Sequence, residues 1–208
     1  MSTLLYIESS PRKERSHSIK VANAFVEAYA AANPGDTIDT LDLWSADLPS
    51  FDGAMIDAKY AVMHGQDPSA EEQAAWAVVT QWAEQFNAAD KYLISVPMWN
   101  FGIPYRLKQY IDVVTQPGLT WSFDPETGYS GLGSGKAVAV YSSAGVYHDG
   151  SGAEAFDLQK PTVENWLAFV GVTDVQRVIA APTLAAPEDV AKADDEAIAQ
   201  AAEIARTF

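Results

Sequence analysis

Short apolar runs alternate with amphipathic segments along this chain. Five runs are short, rich in Val, Ile, Leu and Tyr, and bounded by Pro, Gly, Ser or Asn, which is typical of β-strands. Most of them are apolar almost throughout, as expected of strands buried on both faces of a sheet. The five predicted strands are Thr3–Glu8, Thr37–Leu43, Lys91–Val96, Lys136–Ser142 and Asp174–Ala180.

The segments between these runs carry apolar residues at helical spacing and predict helices. Ile19 and Val26, for example, share one face of the first segment. Asp67 is a predicted helix cap and Pro68 a predicted first helical residue, because these residue types favour those positions. The predicted helices cover residues 18–32, 54–64, 68–87, 104–115, 156–170 and 187–206, and a hairpin is predicted within 119–131.

The alternation of strands and helices indicates a mostly parallel sheet with helices on both faces. Five such units in 208 residues predict an α/β fold, a flavodoxin-like doubly wound five-stranded parallel sheet with strand order 2-1-3-4-5. The hydrophobic fraction of 48% and the six tryptophans indicate a packed globular protein. The length fits one domain over residues 1–208.

Charge and the absence of cysteine exclude several functional classes. The formal net charge is −15 and no cysteine is present. Such acidity disfavours nucleic acid or an anionic membrane as partner, because both repel a polyanion. Without cysteine there are no disulfides, thiolate nucleophiles or iron–sulfur clusters. His64 and His148 lack metal-ligand spacing, so no metal site is predicted. The chain shows no signal core and no membrane-spanning apolar run, and a cytoplasmic protein is expected.

The loop after the first predicted strand is a candidate phosphate site. In an open α/β sheet, ligands bind beyond the carboxyl ends of the strands that flank the switch in strand order, here strands 1, 3 and 4. Residues 9–18 are rich in hydroxyls and lead into a helix N-terminus, which favours an anion. Lys59 is the only Lys or Arg between positions 21 and 90, whereas the loop region carries four: Arg12, Lys13, Arg15 and Lys20. The alternative is ordinary helix capping by Ser16 or Ser18 with solvated charges.

The loops after strands 3 and 4 are candidates for holding a flat ligand. Trp99 and Phe101 flank Asn100, so rings could stack on a heteroaromatic ligand while the amide bonds its edge. The alternative is a loop that closes the core, with both rings simply packed. Residues Ser142–Gly145 are small and let a ligand approach closely, or they form a plain turn.

Related topologies with other chemistries fit less well. No GxGxxG follows the first strand, which disfavours a Rossmann dinucleotide site. Gly131–Lys136 has the wrong spacing and position for a P-loop. Low-molecular-weight tyrosine phosphatases share this topology but need a cysteine nucleophile, and none is present.

The chain resembles the FMN-dependent NADH-azoreductases, also described as NADH:quinone oxidoreductases, of the flavodoxin-like quinone reductase group. The resemblance runs nearly end to end. The segments that carry it are Ser9-Ser10, Ser16-x-Ser18, Pro97–Phe101 with Ile103-Pro104, Gly118–Trp121, Ser142–Gly145 with His148–Gly150, and Phe169–Val175. The Pro-Met-aromatic-Asn-Phe block is the more specific of these signals.

The resemblance implies a role for each of these loops. The residues that would hold the FMN phosphate are Ser10, Ser16, His17 and Ser18. Those that would border the isoalloxazine are Pro97, Met98, Trp99, Asn100 and Phe101. Those that would meet the pyrimidine side or the ribityl chain are Ser142, Ser143, Ala144 and Gly145. The aromatic wall for the substrate would comprise Trp99, Phe101, Trp121 and Phe123.

The implied activity is the transfer of two electrons from NADH or NADPH to quinones and azo compounds by a ping-pong mechanism. FMN would be tightly bound and the protein would be a homodimer. No catalytic side chain is predicted, because the flavin itself carries the hydride. Three alternatives remain open: an NAD(P)H-dependent FMN or nitro reductase, a flavodoxin-type one-electron carrier, and a flavin-free scaffold.

Overall fold

The computed structural model describes residues 1–67 and 69–208. Its strands, in chain order, are β1 (Thr3–Glu8), β2 (Thr37–Asp42), β3 (Lys91–Pro97), β4 (Trp121–Asp124), β5 (Gly128–Gly131), β6 (Lys136–Ser142) and β7 (Asp174–Ala180). Within the described residues, β2-β1-β3-β6-β7 form one parallel sheet in that order. The five predicted strands and the predicted order 2-1-3-4-5 are confirmed, because β6 and β7 are the fourth and fifth strands of that series.

Helices cover both faces of the sheet. They are α1 (His17–Ala32), α2 (Gly53–Met63), α3 (Ala70–Asn87), α4 (Tyr105–Val114), α5 (Gln159–Phe169) and α6 (Pro187–Thr207). Alternate residues of β1 enter two different cores, as the two-residue period of a strand requires. Leu4 packs with residues of α1 and α6, whereas Leu5 packs with residues of α3, α4 and α5. In the part of the chain described here, no helix is both long and apolar enough to cross a membrane.

Two helix starts differ from the sequence prediction by more than one residue. The predicted cap Asp67 is wrong: Ser69 caps α3, its hydroxyl accepting from the Glu72 amide at 3.2 Å while the Glu72 carboxylate accepts from the Ser69 amide at 2.6 Å. This reciprocal capping box satisfies two amide donors at once. Pro68 lies outside the described residues. The predicted helix over 156–170 begins at Gln159, because the Asp157 carboxylate accepts from the amides of Gln159 and Lys160, each at 3.1 Å.

The predicted hairpin is confirmed and docks by backbone contact. β4 and β5 pair antiparallel, and the Gly133 amide donates to the Val170 carbonyl at 2.8 Å. A Cβ on Gly131 would lie 2.2 Å from the amide nitrogen of Gly171, whose own φ is +101°. The turn after α5 therefore admits the hairpin only because both positions lack a side chain.

Asp36 links the segment before β1 to α1 through its hydrogen bonds, and these bonds predict that the stability of the fold depends on pH. Its carboxylate accepts from the Tyr29 hydroxyl at 2.6 Å and from the Ser2 amide at 2.7 Å, and Lys91 lies 3.4 Å away. These bonds, that of Tyr29 first, lower the pKa of Asp36 to about 2. A pKa below the unfolded value means that the carboxylate stabilises the fold above the unfolded pKa and loses that contribution as pH falls towards 2.

We expect Asp36→Asn to lower the free energy of unfolding at pH 7, and the difference from wild type to shrink between pH 5 and pH 3. Urea denaturation at a series of pH values measures this. Asp57→Asn is the control, because Asp57 is an exposed carboxylate of the same charge. A difference that stays constant across this range would contradict the assignment.

Candidate functional site

The loops after β1, β3 and β6 meet at one end of the sheet and line a cavity of about 190 Å³. The predicted convergence of these loops is confirmed, since the carboxyl ends of three adjacent strands share that edge. The predicted residues that line the cavity are Ser10, Ser16, His17, Pro97, Met98, Trp99, Ser142, Ser143 and Ala144. Arg12 and Thr183 also line it.

The N-terminal turn of α1 borders this cavity. Ser10, Ser16 and Ser18 are buried, and the hydroxyls of Ser16 and Ser18 lie 3.2 Å apart. Ser16 caps the helix by accepting from the Ile19 amide at 3.5 Å, so it is a cap and also lines the cavity. Within the described residues the amides of His17 and Ser18 have no hydrogen-bond acceptor. A helix start with free amides and hydroxyls suits an anion.

The basic cluster of this region divides into two lysines with structural ion pairs and two arginines, Arg12 and Arg15, that form no ion pair with any described residue. Lys13 bridges the ends of β1 and β2, lying 3.1 Å from Glu8 and 2.5 Å from Asp42. Burial opposes the charge of Lys13, but its hydrogen bonds to Asp42 and Glu8 prevail and raise its pKa. Lys20 pairs with a carboxylate of α6. Arg12 lines the cavity and forms no ion pair with any described residue, so its charge is available to a ligand.

A two-residue turn follows β3. Trp99 and Gly102 exchange both backbone hydrogen bonds at 3.0 Å, and the residues between them have positive φ, 47° at Asn100 and 72° at Phe101. Asparagine tolerates this region, whereas a phenylalanine there costs about 1–2 kcal/mol. Such strain concentrates at functional positions. The amides of Asn100 and Phe101 donate to no acceptor in the part of the chain described here, so both are free for a ligand.

The aromatic residues of this loop do not close the core. Trp99 is only partly buried and Phe101 is 47% exposed. Trp99 lies in a small aromatic group that sequence reasoning missed: its ring centroid is 5.7 Å from that of Trp44 and 6.1 Å from that of Tyr105. Trp44 is anchored by its indole N–H, which donates to the Ser9 carbonyl at 2.9 Å. The rings therefore form an exposed edge beside the cavity.

The loop after β6 is tied to the segment after β7. The Ser143 hydroxyl donates to the Gly145 carbonyl at 2.8 Å, and the Ser143 carbonyl accepts from the Thr183 amide at 2.9 Å. This bond brings Thr183 to the cavity, where no local sequence pattern indicated it. Gly145 belongs to the loop but is not one of the residues that line the cavity.

Gln159, the first residue of α5, links the two central strands beneath the cavity. Its buried side-chain amide donates to the Val96 carbonyl at 2.8 Å and to the Ser142 carbonyl at 3.4 Å. The Met98 amide also donates to the Ser142 carbonyl, at 2.7 Å. Sequence reasoning placed no function on Gln159, because a glutamine inside an amphipathic pattern gives no local signal.

Trp121 and Phe123 lie apart from this cavity within one chain. They belong to the β4–β5 hairpin and line a second cavity of about 440 Å³ with Met63 and Tyr129 among its other walls. The two cavities share no described lining residue. Phe123 and Tyr129 are 57% and 66% exposed. The substrate role of Trp121 and Phe123 stays a prediction.

Comparisons with known proteins agree with this geometry. The fold and cavity define a doubly wound α/β protein with a cavity at the switch in strand order. A family model described as a flavodoxin-like fold matches residues 2–205. A relative from Nitratidesulfovibrio vulgaris, named FMN-dependent NADH:quinone oxidoreductase, is 50% identical over 100% of both chains. One from Pseudomonas fluorescens, named FMN-dependent NADH:quinone oxidoreductase 3, is 42% identical over 98% of this chain and 95% of its own.

Solved structures show the same relationship. An azoreductase from Bacillus anthracis matches with a TM-score of 0.91 and 30% identity over 100% of both chains. An FMN-dependent NADH-azoreductase from the same species, in complex with FMN, matches with a TM-score of 0.86 and 27% identity over 99% of this chain and 100% of that one. The chain therefore belongs to the flavodoxin-like family of FMN-dependent NADH:quinone oxidoreductases.

Proposed function

We propose that this protein is an FMN-dependent oxidoreductase that transfers electrons from NADH or NADPH to quinones and azo compounds. The observation that carries this proposal is one cavity lined by two chemically different groups of residues. Buried serines at the start of α1 line it together with the apolar residues Met98 and Trp99. The names of the relatives that are 42–50% identical over nearly the whole chain support the same conclusion.

The donors at the start of α1 fit the phosphate of FMN. Ser10, Ser16 and Ser18 supply hydroxyls, the amides of His17 and Ser18 supply free N–H groups, and Arg12 supplies an unpaired positive charge. A phosphate monoester has acceptor oxygens for several such donors and gains from the helix dipole. A ligand of this size also avoids the long-range repulsion that an acidic protein exerts on an extended polyanion.

The loops after β3 and β6 fit a flat ring system. Pro97, Met98 and Trp99 offer an apolar face, and the free amides of Asn100 and Phe101 offer donors at the ring edge. Preorganised donors of this kind stabilise negative charge that develops on a ring during reduction. We propose that Ser142–Gly145 contact the polar side of the same ring or its ribityl chain, because these residues are small and Ser142, Ser143 and Ala144 line the cavity.

Bound FMN supplies hydride acceptance from the nicotinamide and delivery of two electrons to the acceptor. The protein's residues bind and orient the FMN and exclude water from it. No side chain is assigned as nucleophile or general base. We propose that the electron donor and the acceptor bind in turn at the same edge of the cavity, which gives ping-pong kinetics. The proposed place of action is the cytoplasm, where NADH is available.

We further propose a homodimer in which the β4–β5 hairpin of one copy covers the cavity of the other. Exposed apolar side chains lie on both parts: Phe101 and Phe156, with ring centroids 5.4 Å apart, beside the cavity, and Phe123 and Tyr129, 4.9 Å apart, on the hairpin. Apolar patches of this kind mark interfaces. Such an arrangement would bring Trp121 and Phe123 of one copy close to Trp99 and Phe101 of the other. Light scattering measures the oligomeric state.

The visible spectrum and the NADH oxidase assay of the purified protein test the proposed activity. We expect a flavin spectrum and rapid oxidation of NADH on addition of a quinone, without any other reductase. Faster turnover with free FMN than with quinone would favour a flavin reductase. No direct NADH oxidation, together with a stable one-electron state on titration, would favour an electron carrier. A colourless protein that binds no added FMN would contradict the proposal.

Replacing Trp99 tests the aromatic wall. We expect Trp99→Ala to raise the quinone KM about three- to tenfold, the effect of losing one aromatic contact, while FMN retention changes little. Steady-state kinetics and the flavin content of the purified variant measure the two effects. Trp76→Ala is the control, because Trp76 packs in a separate apolar cluster. Loss of FMN without a change in KM would contradict the assignment.

A further inference from the structure

The aromatic group beside the cavity consists of Trp44, Trp99 and Tyr105. Trp99 lines the cavity itself. The ring centroid of Trp44 lies 5.7 Å from that of Trp99 and 5.2 Å from that of Tyr105. These residues come from the loop after β2, the loop after β3 and the first turn of α4. The fold therefore adds a ring from another strand end and a ring from a helix to the ring that lines the cavity.

The ring faces of the aromatic group are not covered by stacking within the group. The interplanar angles are 45° between Trp44 and Trp99, 77° between Trp44 and Tyr105, and 59° between Trp99 and Tyr105. Both tryptophans are partly exposed, and Tyr105 is 62% exposed. Exposed rings forgo the favourable free energy of burial, and aromatic side chains beside a cavity are typical of small-molecule sites. The arrangement therefore indicates a wall for a flat ligand rather than packing of the core.

Hydrogen bonds within the protein hold Trp44 in this position. Its indole N–H donates to the Ser9 carbonyl at 2.9 Å, which draws the side chain from the end of β2 towards the end of β1. Its backbone amide donates to the Asp42 carboxylate at 3.1 Å. The ends of two neighbouring strands thus determine where the indole lies.

The first turn of α4 fixes the remaining part of the aromatic group. Tyr105 is the first residue of this helix. The next residue, Arg106, donates to the carbonyls of Leu43 and Ala46, on either side of Trp44, at 2.8 and 2.6 Å. Tyr105 and the loop after β2 therefore keep one relative position, as a site that selects a ligand by its shape requires.

The size of the aromatic group favours a fused ring system over a single ring. The centroids of Trp44 and Trp99 are 5.7 Å apart, which exceeds the width of the carbon frame of one six-membered ring. Fused rings reach across this distance. A flat ligand that stacks on Trp99 then meets Trp44 at an angle, a geometry that aromatic pairs favour.

We propose that Trp44 and Tyr105 are specificity-determining residues, which extend the wall formed by Trp99 and select electron acceptors with two or more fused rings. This proposal rests on the proposed function. It concerns the acceptor rather than the flavin, because Trp44 and Tyr105 are not among the residues that line the cavity. An acceptor with a single ring contacts Trp99 and gains nothing from the other two rings.

Steady-state kinetics of the full-length, FMN-loaded protein with NADH test this selection. The acceptors are p-benzoquinone, menadione and anthraquinone sulfonate, which have one, two and three rings. The ratio of variant to wild-type kcat/KM for each acceptor cancels its intrinsic reactivity. We expect Trp44→Ala to lower kcat/KM about three- to tenfold for the two fused-ring acceptors, the effect of losing one aromatic contact, and less than about twofold for p-benzoquinone. Tyr105→Ala is expected to act in the same direction.

Two further variants separate contact with the acceptor from support of the loop. Trp44→Phe keeps an aromatic face but removes the indole N–H that bonds the Ser9 carbonyl, and we expect it to retain the preference for fused rings. Trp76→Ala is the matched control, because Trp76 is a partly buried tryptophan in a separate apolar cluster. We expect it to change the three kcat/KM ratios equally or not at all.

Several results would overturn the proposal. If Trp44→Ala affects all three acceptors equally, or if Trp44→Phe behaves like Trp44→Ala, Trp44 only supports the loop. Loss of FMN from Trp44→Ala would mean that the ring contacts the flavin, and a change in its mass by light scattering would mean that another copy covers it. A wild-type protein that oxidises no NADH with any of the three acceptors would overturn the proposed function itself, whereas turnover of all three that Trp44→Ala leaves unchanged would overturn this inference alone.

Discussion

Replacing Arg12 with Met is expected to raise the Kd for FMN by about 10- to 100-fold, while the Kd for riboflavin changes little. Arg12 lines the anion end of the cavity, and no described carboxylate neutralises it. A hydrogen bond to a charged group contributes about 1.5–3 kcal/mol, which corresponds to this range of affinity. Fluorescence titration with both flavins measures the effect.

Arg15→Met is the matched control for Arg12→Met. It removes the same charge from the same short segment, but Arg15 faces the neighbouring groove with Glu14 and Lys20. The two variants have equal net charge, so a general electrostatic effect would weaken FMN equally in both. That result would contradict a direct contact between Arg12 and the phosphate.

Gly171→Ala is expected to destabilise the fold by about 3 kcal/mol or more. The residue has φ +101°, and a Cβ there would lie 2.4 Å from the Gly133 carbonyl oxygen. Positive φ alone costs about 1–3 kcal/mol. A clash between backbone atoms adds to this cost, because neither backbone segment can move away as a flexible side chain could. Urea denaturation followed by tryptophan fluorescence measures the difference.

Gly128→Ala separates the two causes. Gly128 has φ +84°, but a Cβ there would meet nothing within 4 Å. We expect the free energy of unfolding of this variant to fall by about 1–2 kcal/mol, the cost of the backbone conformation alone. If both variants lose the same free energy of unfolding, the close approach of the hairpin to the turn after α5 does not hold the hairpin in place.

The strands and their order could be predicted from sequence because the signals are local. A buried parallel strand needs a short apolar run, and Thr3–Glu8 or Lys136–Ser142 have no competing pattern. Helix starts were less certain because several residues compete for one cap. Asp67 and Ser69 are both good caps, and only the reciprocal bond with Glu72 decides between them.

The site could be predicted only where its residues adjoin the strand ends. Ser142 ends a predicted strand, and Ser10 and Trp99 lie two and three residues beyond predicted strands, so topology alone brings them together. The contact between His17 and Asp194 could not be predicted, because it spans 177 positions in the chain. The positive charge that the basic cluster offers a ligand was overestimated for the same reason, because carboxylates from β2 and α6 neutralise its lysines.

The bonds of Gln159 have a consequence for the entropy of ligand binding. Its side chain reaches the carbonyls of Val96 and Ser142, which belong to β3 and β6, two of the three strands whose loops line the cavity. A residue that does not line the cavity thus holds these two strand ends together once the protein has folded. A ligand that enters a site already at its bound width spends little of its binding free energy on ordering the protein. If FMN binds in this cavity, we expect it to be retained tightly for this reason.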